Sequence, residues 1–276
     1  MAGAENRVAR LALIQFESVL CDPAANTKKA CGMIADAASQ GVDLVVLPEL
    51  FSTGYELNIV GPRIPELAEP VDGPTVTALQ QAARDAHCYI VAGLALTHEL
   101  PGVAYNSAVL IDRAGNLAGV YDKQHLWALE RFYFRSGEGS PVFDADFGRL
   151  GILICYDLGF PEVARMLALQ GAEILVCPSA WCVEDMDVWD INVPARALEN
   201  TTFVAAVNRF GCEDALVMPG HTKVCNPRGR VISELENEAE GVLHVELNLN
   251  EVIDHRVSSP YLRDRRPDLY DQVLLP

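Results

Sequence analysis

Four side chains in this 276-residue chain stand where chemistry could be done: Cys155, Glu49, Lys123 and Glu130. Cys155 closes an apolar run in Gly151-Ile152-Leu153-Ile154-Cys155-Tyr156-Asp157-Leu158-Gly159-Phe160-Pro161-Glu162. A helix-like segment, 163–170, follows Pro161, and a further apolar run, 172–177, follows Gly171. The pattern reads strand, sharp turn, helix, strand, and it predicts the thiol at the carboxyl end of the first strand. Ligands of open α/β sheets bind at that end, and a helix N-terminus beyond the thiol favours the thiolate. The same position also suits a small core residue, the commonest use of a free cysteine. Glu49 directly follows Leu47-Pro48 at the end of an apolar run, where a carboxylate must find partners or stay protonated. Lys123, in Tyr121-Asp122-Lys123-Gln124-His125-Leu126, lies just beyond another strand-like segment. Glu130 sits in Leu129-Glu130-Arg131-Phe132-Tyr133-Phe134, beside an aromatic patch. Each of these three, taken alone, is compatible with an ordinary exposed charge.

Positioning them takes strands that end in one place. Segment 8–16 alternates and runs apolar, a first strand; 26–40 has the spaced apolar residues of a helix ended by Gly41. Segment 44–47 is a short buried strand that stops at Pro48-Glu49. A second helix is predicted over 74–87, with Asp72 or Gly73 near its cap. Strands follow at 88–96 and 105–111, and Arg113-Ala114-Gly115-Asn116 turns the chain into 117–121. The second half predicts a strand over 150–154, a helix over 186–199 despite Pro194, and a strand over 202–207. A late β-rich stretch comprises 217–224, 229–235 and 242–247. Strands outnumber helices, which predicts two sheets covered by helices. Leu44-Val45-Val46-Leu47-Pro48-Glu49 and Ile174-Leu175-Val176-Cys177-Pro178-Ser179 both end an apolar strand in proline and a polar residue. That echo predicts two strand–helix–strand units packed with approximate two-fold symmetry. With no linker or low-complexity stretch, a single domain over 1–276 is expected.

Composition excludes several classes. Half the residues are hydrophobic and the mean hydropathy is +0.13, enough for a substantial core. No apolar run approaches the ~20 residues that span a bilayer. Met1-Ala2-Gly3-Ala4-Glu5-Asn6-Arg7 lacks the basic and apolar regions of a secretory signal, so a soluble, cytoplasmic protein is expected. The charge is −17, from 21 basic and 38 acidic residues, and the pI is near 4.7. Such a field repels phosphate backbones and anionic membranes, so neither nucleic acid nor membrane is an expected partner. Arg263, Arg265 and Arg266 form too short a basic cluster to reverse this and suit pairing with acidic protein surface. Eight cysteines without a Cys-x-x-Cys pair, and histidines scattered through the chain, give no disulfide framework and no metal site.

Taken together, the motifs resemble those of the nitrilase, or carbon–nitrogen hydrolase, superfamily. The resemblance rests on Leu47-Pro48-Glu49-Leu50-Phe51, Tyr121 to Leu126 and Gly151 to Glu162. Further support comes from Pro194-Ala195-Arg196-Ala197-Leu198-Glu199-Asn200, Ala206-Val207-Asn208-Arg209 and the tail from Tyr261 to Tyr270. It implies a four-layer α-β-β-α sandwich with a Glu-Lys-Cys site at the strand ends. By that likeness Cys155 is the nucleophile and Glu49 the general acid and base. Lys123 and the Tyr156 N–H would serve as oxyanion donors, and Glu130 as the second glutamate that fixes Lys123. No metal or organic cofactor is implied. His125 invites a triad with Cys155, but a histidine two residues past a lysine better suits a supporting role. Tyr55, Trp127, Tyr133, Tyr156, Phe160 and Trp181 are candidates for the acyl pocket, each equally able to be an ordinary aromatic core residue.

The subclass is less sharply written. True nitrilases of this superfamily usually follow the cysteine with tryptophan and glutamate; here Tyr156-Asp157 resembles the amidase branches. Many amidase-type relatives place an arginine before Phe-Pro-Glu, and Gly159 stands there instead, which removes a candidate grip on a substrate carboxylate. Six residues separate Lys123 from Glu130, too few for the longer insertions of carbamoylase-type and polyamine-type relatives. The expected reaction is hydrolysis of a small or aliphatic amide to carboxylate and ammonia through a thioester. The alternatives are an N-carbamoyl hydrolase, an ω-amidase, a nitrilase, an isochorismatase-like hydrolase, or a catalytically silent scaffold subunit. Isochorismatase-like chains are shorter and have one central sheet. The resemblance also implies a homodimer or larger homo-oligomer, with 258–276, ending in Val273-Leu274-Leu275-Pro276, as an arm on a neighbouring subunit.

Overall fold

A computed structural model of the chain describes residues 7–236 and 239–273. The N-terminal segment 1–6 and the apolar end 274–276 therefore lie outside the described residues. The first half runs β1 (Val8–Gln15), α1 (Pro23–Ala38), β2 (Leu44–Val46), the one-turn α2 (Ile64–Leu67), β3 (Glu69–Pro70) and α3 (Pro74–Ala86). It continues through β4 (Tyr89–Thr97), β5 (Ala104–Ile111), β6 (Leu117–Asp122) and the one-turn α4 (Glu130–Tyr133). The second half runs β7 (Val142–Ala145), β8 (Gly148–Ile152), α5 (Pro161–Leu169), β9 (Ile174–Ser179), α6 (Met186–Asn200) and β10 (Phe203–Asn208). It closes with β11 (Phe210–Glu213), β12 (Leu216–Pro219), β13 (Lys223–Cys225), β14 (Val231–Glu234), β15 (Gly241–Asn248) and α7 (Asn250–Ser258).

The elements follow local chemistry. Asp22 accepts a hydrogen bond from the Ala25 N–H at 3.0 Å and Pro23 opens the first turn, so α1 starts where a cap and a preset φ coincide. In β1, Leu11 and Leu13 point to one face and Ala12 and Ile14 to the other, all of them buried, so the strand is covered on both sides. Helix α6 persists through Pro194 because one face (Trp189, Val193, Arg196, Ala197 and Asn200) is buried. That packing offsets the ~3 kcal/mol an interior proline costs.

Two sheets result, ordered β15-β1-β2-β4-β5-β6 and β14-β13-β10-β9-β8-β7, with β3 paired to β4 off the first path. Each contains a parallel triple, β1-β2-β4 and β10-β9-β8. Antiparallel strands flank both triples. The two echoing segments of the sequence, β2 and β9, are the middle strands of these triples. Leu11, Leu13, Leu44, Val46 and Val91 of the first sheet pack against Ile152, Val176, Ala205 and Val207 of the second. On the far side of the first sheet, Ala12, Ile14, Val45 and Ile90 lie under Ile34 of α1 and Val76 and Leu79 of α3. Helices α5 and α6 cover the second sheet through Val163, Leu167, Val193 and Ala197. The layers are α-β-β-α.

Three expectations change. The predicted strand over 217–224 is two strands, because Gly220 (φ 84°) and His221 (φ 60°) turn the chain between them. Strand β12 then pairs only with β11 in a separate hairpin, while β13 joins the second sheet. The strand leading to the thiol stops at Ile152, and Cys155 opens a 3₁₀ turn, Cys155–Gly159. Strand β15 leaves the second half altogether and pairs antiparallel with β1. Among the described residues, no helix is long and apolar enough to cross a membrane.

Candidate active site

The strand ends bring the four chemical side chains together. Beyond β2 the chain stays beside β4, with the Leu47 N–H bonded to Val91 O at 2.8 Å and the Phe51 N–H to Gly93 O at 3.1 Å. Gly93 has no alternative here: a Cβ would lie 2.6 Å from Glu49 Cα and 2.7 Å from Pro48 O. This close approach sets Glu49, fully buried, over the end of the first sheet. Lys123 follows β6, and its N–H donates to Asn106 O at 2.8 Å. Glu130 begins α4, with its N–H bonded to Trp127 O at 2.8 Å. Cys155 adopts a left-handed backbone conformation (φ 46°), one that costs a non-glycine residue about 1–3 kcal/mol and is found most often at functional sites.

Lys123 Nζ bridges the two carboxylates, 2.6 Å from Glu49 Oε1 and 2.7 Å from Glu130 Oε1, and all three side chains are fully buried. Asn106 Nδ2 donates to Glu49 Oε1 at 2.7 Å, and the Ala180 N–H, just past β9, donates to Glu49 Oε2 at 3.0 Å. That N–H also reaches the Cys155 sulfur. Tyr55 OH donates to Glu130 Oε1. The backbone of Tyr55 is held in turn by Glu213 Oε2, at 2.6 Å from its N–H, and Glu213 pairs with the buried Arg209.

Asp157 holds the turn that carries Cys155. It accepts from the Ile154 N–H (3.0 Å), Tyr121 OH (2.7 Å), the His125 N–H (3.0 Å) and His125 Nδ1 (2.9 Å). His125 is also stacked on Phe160 at 3.6 Å between ring centroids. The ring is thus engaged by the turn, as the sequence led us to expect. Arg196 Nε of α6 donates to Leu158 O at 2.7 Å and ties the turn to the outer helix layer.

Burial works against the Lys123 ammonium, but Glu130 and Glu49 outweigh it and hold its pKa well above the ordinary value. Burial and Glu49 raise the Glu130 carboxyl against the pull of Lys123. Burial and the Glu130 charge push the Tyr55 phenol well up, so it remains a donor. The Cys155 thiol is also pushed well above its usual range, by burial first and then by Glu49, with Lys123 and the Ala180 N–H opposing. The stabilised thiolate expected from the sequence is therefore corrected. Helix α5 begins only at Pro161, a full 3₁₀ turn beyond the sulfur, and desolvation prevails. Burial thus favours the neutral thiol at Cys155, which could attack a carbonyl only with the help of a base. Its modification by a small uncharged thiosulfonate, followed by peptide mass spectrometry, is expected to accelerate with pH to beyond about pH 9 without a plateau. A plateau below about pH 8 would show a stabilised thiolate instead.

Cys155 opens into a cavity of about 190 Å³ lined by Tyr55, Trp127, Tyr156, Gly159, Ala180 and Trp181, then by Cys182, Asp185, Val188 and Asn192. Four of the six aromatic residues singled out in the sequence thus surround the thiol: Tyr55, Trp127, Tyr156 and Trp181. Phe160 lies behind Tyr156, edge-on at 5.1 Å, and Tyr133 packs against Gly61 in the cluster of Leu50, Tyr55 and Val60. Neither is among the lining residues. Sequence reasoning missed Asn106, Ala180 and Glu213, and the wall from Cys182 to Asn192, and quoted Arg196 only within a supporting motif. Asn106 alone carried a signal, a polar side chain inside the apolar run of β5.

A profile of the carbon-nitrogen hydrolase family matches residues 10–256. A probable nitrilase of Schizosaccharomyces pombe is 36% identical over 272 residues, covering 97% of this chain and 99% of the relative. The 2-oxoglutaramate amidase of Bacillus subtilis is 34% identical over 262 residues, covering 94% and 98%. A mutant of the amidase from Nesterenkonia sp. AN1 superposes with a TM-score of 0.85 at 31% identity, over 99% of this chain and 98% of that one. That structure shows covalent addition of the acetamide moiety of fluoroacetamide at its active-site cysteine. The chain belongs to the carbon-nitrogen hydrolase family, in its amidase-like branch. It is accordingly a hydrolase of carbon–nitrogen bonds.

Proposed function

We propose that the protein hydrolyses small linear amides to carboxylate and ammonia through a thioester on Cys155. The observation that carries this reading is the buried Glu49–Lys123–Glu130 chain, closed at 2.6 and 2.7 Å, beside a neutral thiol that opens to the cavity. Glu49 takes the thiol proton as sulfur bonds to the carbonyl carbon. The tetrahedral oxyanion is met by the Lys123 ammonium and the Tyr156 N–H. Collapse breaks the C–N bond, and Glu49 passes the proton to the departing nitrogen. Water then attacks the thioester with Glu49 as base, the C–S bond breaks, and the thiol is restored. Glu130, held by Tyr55, keeps Lys123 in place throughout.

The cavity supports a small substrate. A 150 Å³ protein cavity holds a benzene, so about 190 Å³ admits an acyl group of about six to eight heavy atoms. The Nesterenkonia relative supports the amide and the cysteine. The Bacillus relative acts on an amide that carries a carboxylate. Here the lining offers no cation to meet one, which favours other amides. Association into a homodimer belongs to the same reading, supported by exposed apolar side chains on α5 (Met166, Leu169) and on the tail (Tyr261, Leu269).

Ammonia release across aliphatic amides, nitriles and N-carbamoyl compounds tests the reaction, with the Cys155 peptide weighed during turnover. Small aliphatic amides are expected to give the highest kcat/KM and an acyl mass on Cys155. A higher kcat/KM for nitriles or carbamoyl compounds, or turnover with no acyl mass, would reject the proposal.

A further inference from the structure

The outer wall of the cavity carries a charge that the amide reaction itself does not use. Asp185 lines the cavity in which Cys155 lies, and its carboxylate makes no hydrogen bond or ion pair among the described residues. It stands before α6 without capping it. Its backbone is nonetheless fixed: Trp181 Nε1 donates to the Asp185 carbonyl at 2.7 Å, and the Asp185 N–H donates to Cys182 O at 3.2 Å. The Asp185 backbone is therefore held by an aromatic residue of the same cavity, and the residue itself is exposed. No lysine, arginine or histidine is among the lining residues. The neighbouring loop adds only negative charge, from the exposed Glu184 and Asp187. Trp127 and Tyr156, in edge contact at 4.7 Å, and Trp181 line the same cavity. Aromatic rings with an unpaired carboxylate attract an ammonium group and disfavour a carboxylate.

We propose that Asp185 makes this cavity selective for amides whose acyl chain bears an ammonium group, held between the Asp185 carboxylate and the rings of Trp127, Tyr156 and Trp181. The inference rests on the amide reading and adds to it the class of acyl chain. Shape does not distinguish an ammonium from a methyl of the same chain. Charge does.

The test uses three homologous series of amides that differ only at the far end of the acyl chain: ammonium, methyl and carboxylate. The wild-type protein is expected to rank kcat/KM in that order. Asp185→Asn is expected to cut the ammonium-to-methyl ratio about fivefold, since a partly exposed ion pair contributes up to about 1 kcal/mol. Asp185→Glu restores the ratio, and added salt erodes it. A purely structural role for Asp185 would lower all three series together and leave the ratio unmoved, which would overturn the proposal. So would a wild-type preference for the carboxylate series. Binding of the same amides to Cys155→Ala, followed by tryptophan fluorescence, reads the charge preference without turnover. Equal affinities there would overturn the charge selectivity. Absence of ammonia release from all three series, alongside a charge preference in binding, would reject the amide reaction and leave the selectivity standing.

Discussion

Cys155→Ala is expected to fold and to release ammonia from the best amide at no more than about one ten-thousandth of the wild-type rate. The magnitude follows from removing a nucleophile that forms a covalent intermediate: such losses reach about 10⁶ in kcat, with a residual from binding and oxyanion contacts. Folding should survive because the thiol contributes little packing at a position whose backbone is held by Asp157, Tyr121 and Arg196. The left-handed backbone at Cys155 gives a second reading from the same residue. Cys155→Gly relieves the steric penalty that both cysteine and alanine carry at φ 46°. It is expected to melt above Cys155→Ala, by about 1 kcal/mol in unfolding free energy. Inactive variants ordered this way would mean that the turn is kept strained to aim the sulfur. Activity within a hundredfold of wild type in Cys155→Ala would end the thioester mechanism.

Lys123→Met is expected to lose both activity and stability. Removing one member of a buried, paired charge set costs about 3–5 kcal/mol, because the partners remain uncompensated. Here two fully buried carboxylates would be left facing each other. At least one would have to take up a proton on folding. Its folded-state pKa would then lie above its unfolded value of about 4.3. A raised carboxyl favours the folded state below the unfolded pKa, and that contribution is lost as pH rises through the folded pKa. The variant should therefore lose stability relative to wild type as pH rises, with a larger deficit near pH 8 than near pH 5 by denaturant titration. A deficit that shrinks with pH would show that Glu49 and Glu130 do not depend on the ammonium. Turnover should fall about a hundred- to a thousandfold, the loss that follows removal of an oxyanion donor.

The central strands β1, β2, β4, β5, β9 and β10 were largely legible because they are buried on two faces and read as apolar runs. Glu49 and Lys123 were legible for a related reason, as charges placed where apolar runs stop. The 217–224 segment misled because hydropathy cannot reveal the two left-handed residues, Gly220 and His221, that divide it. The thiol's protonation misled because local pattern reported a helix ahead and could not report Glu49, brought in from 106 residues away by the other sheet. The wall at Asp185 was invisible for the same reason: nothing near it in the sequence marks which loop will face the sulfur. The partners that a buried carboxylate requires come from Asn106 on β5 and Ala180 just past β9, in segments that only the assembled sandwich brings together.

Strand β15 seals the edge of β1, with Asn248 opposite Val8. During synthesis that edge is open until almost the whole chain has emerged, so the first sheet spends most of translation with an unpaired, apolar border. Ribosome-bound fragments that end before residue 241 are therefore the forms most prone to associate through β1, and the ones a holding chaperone would have most reason to grip.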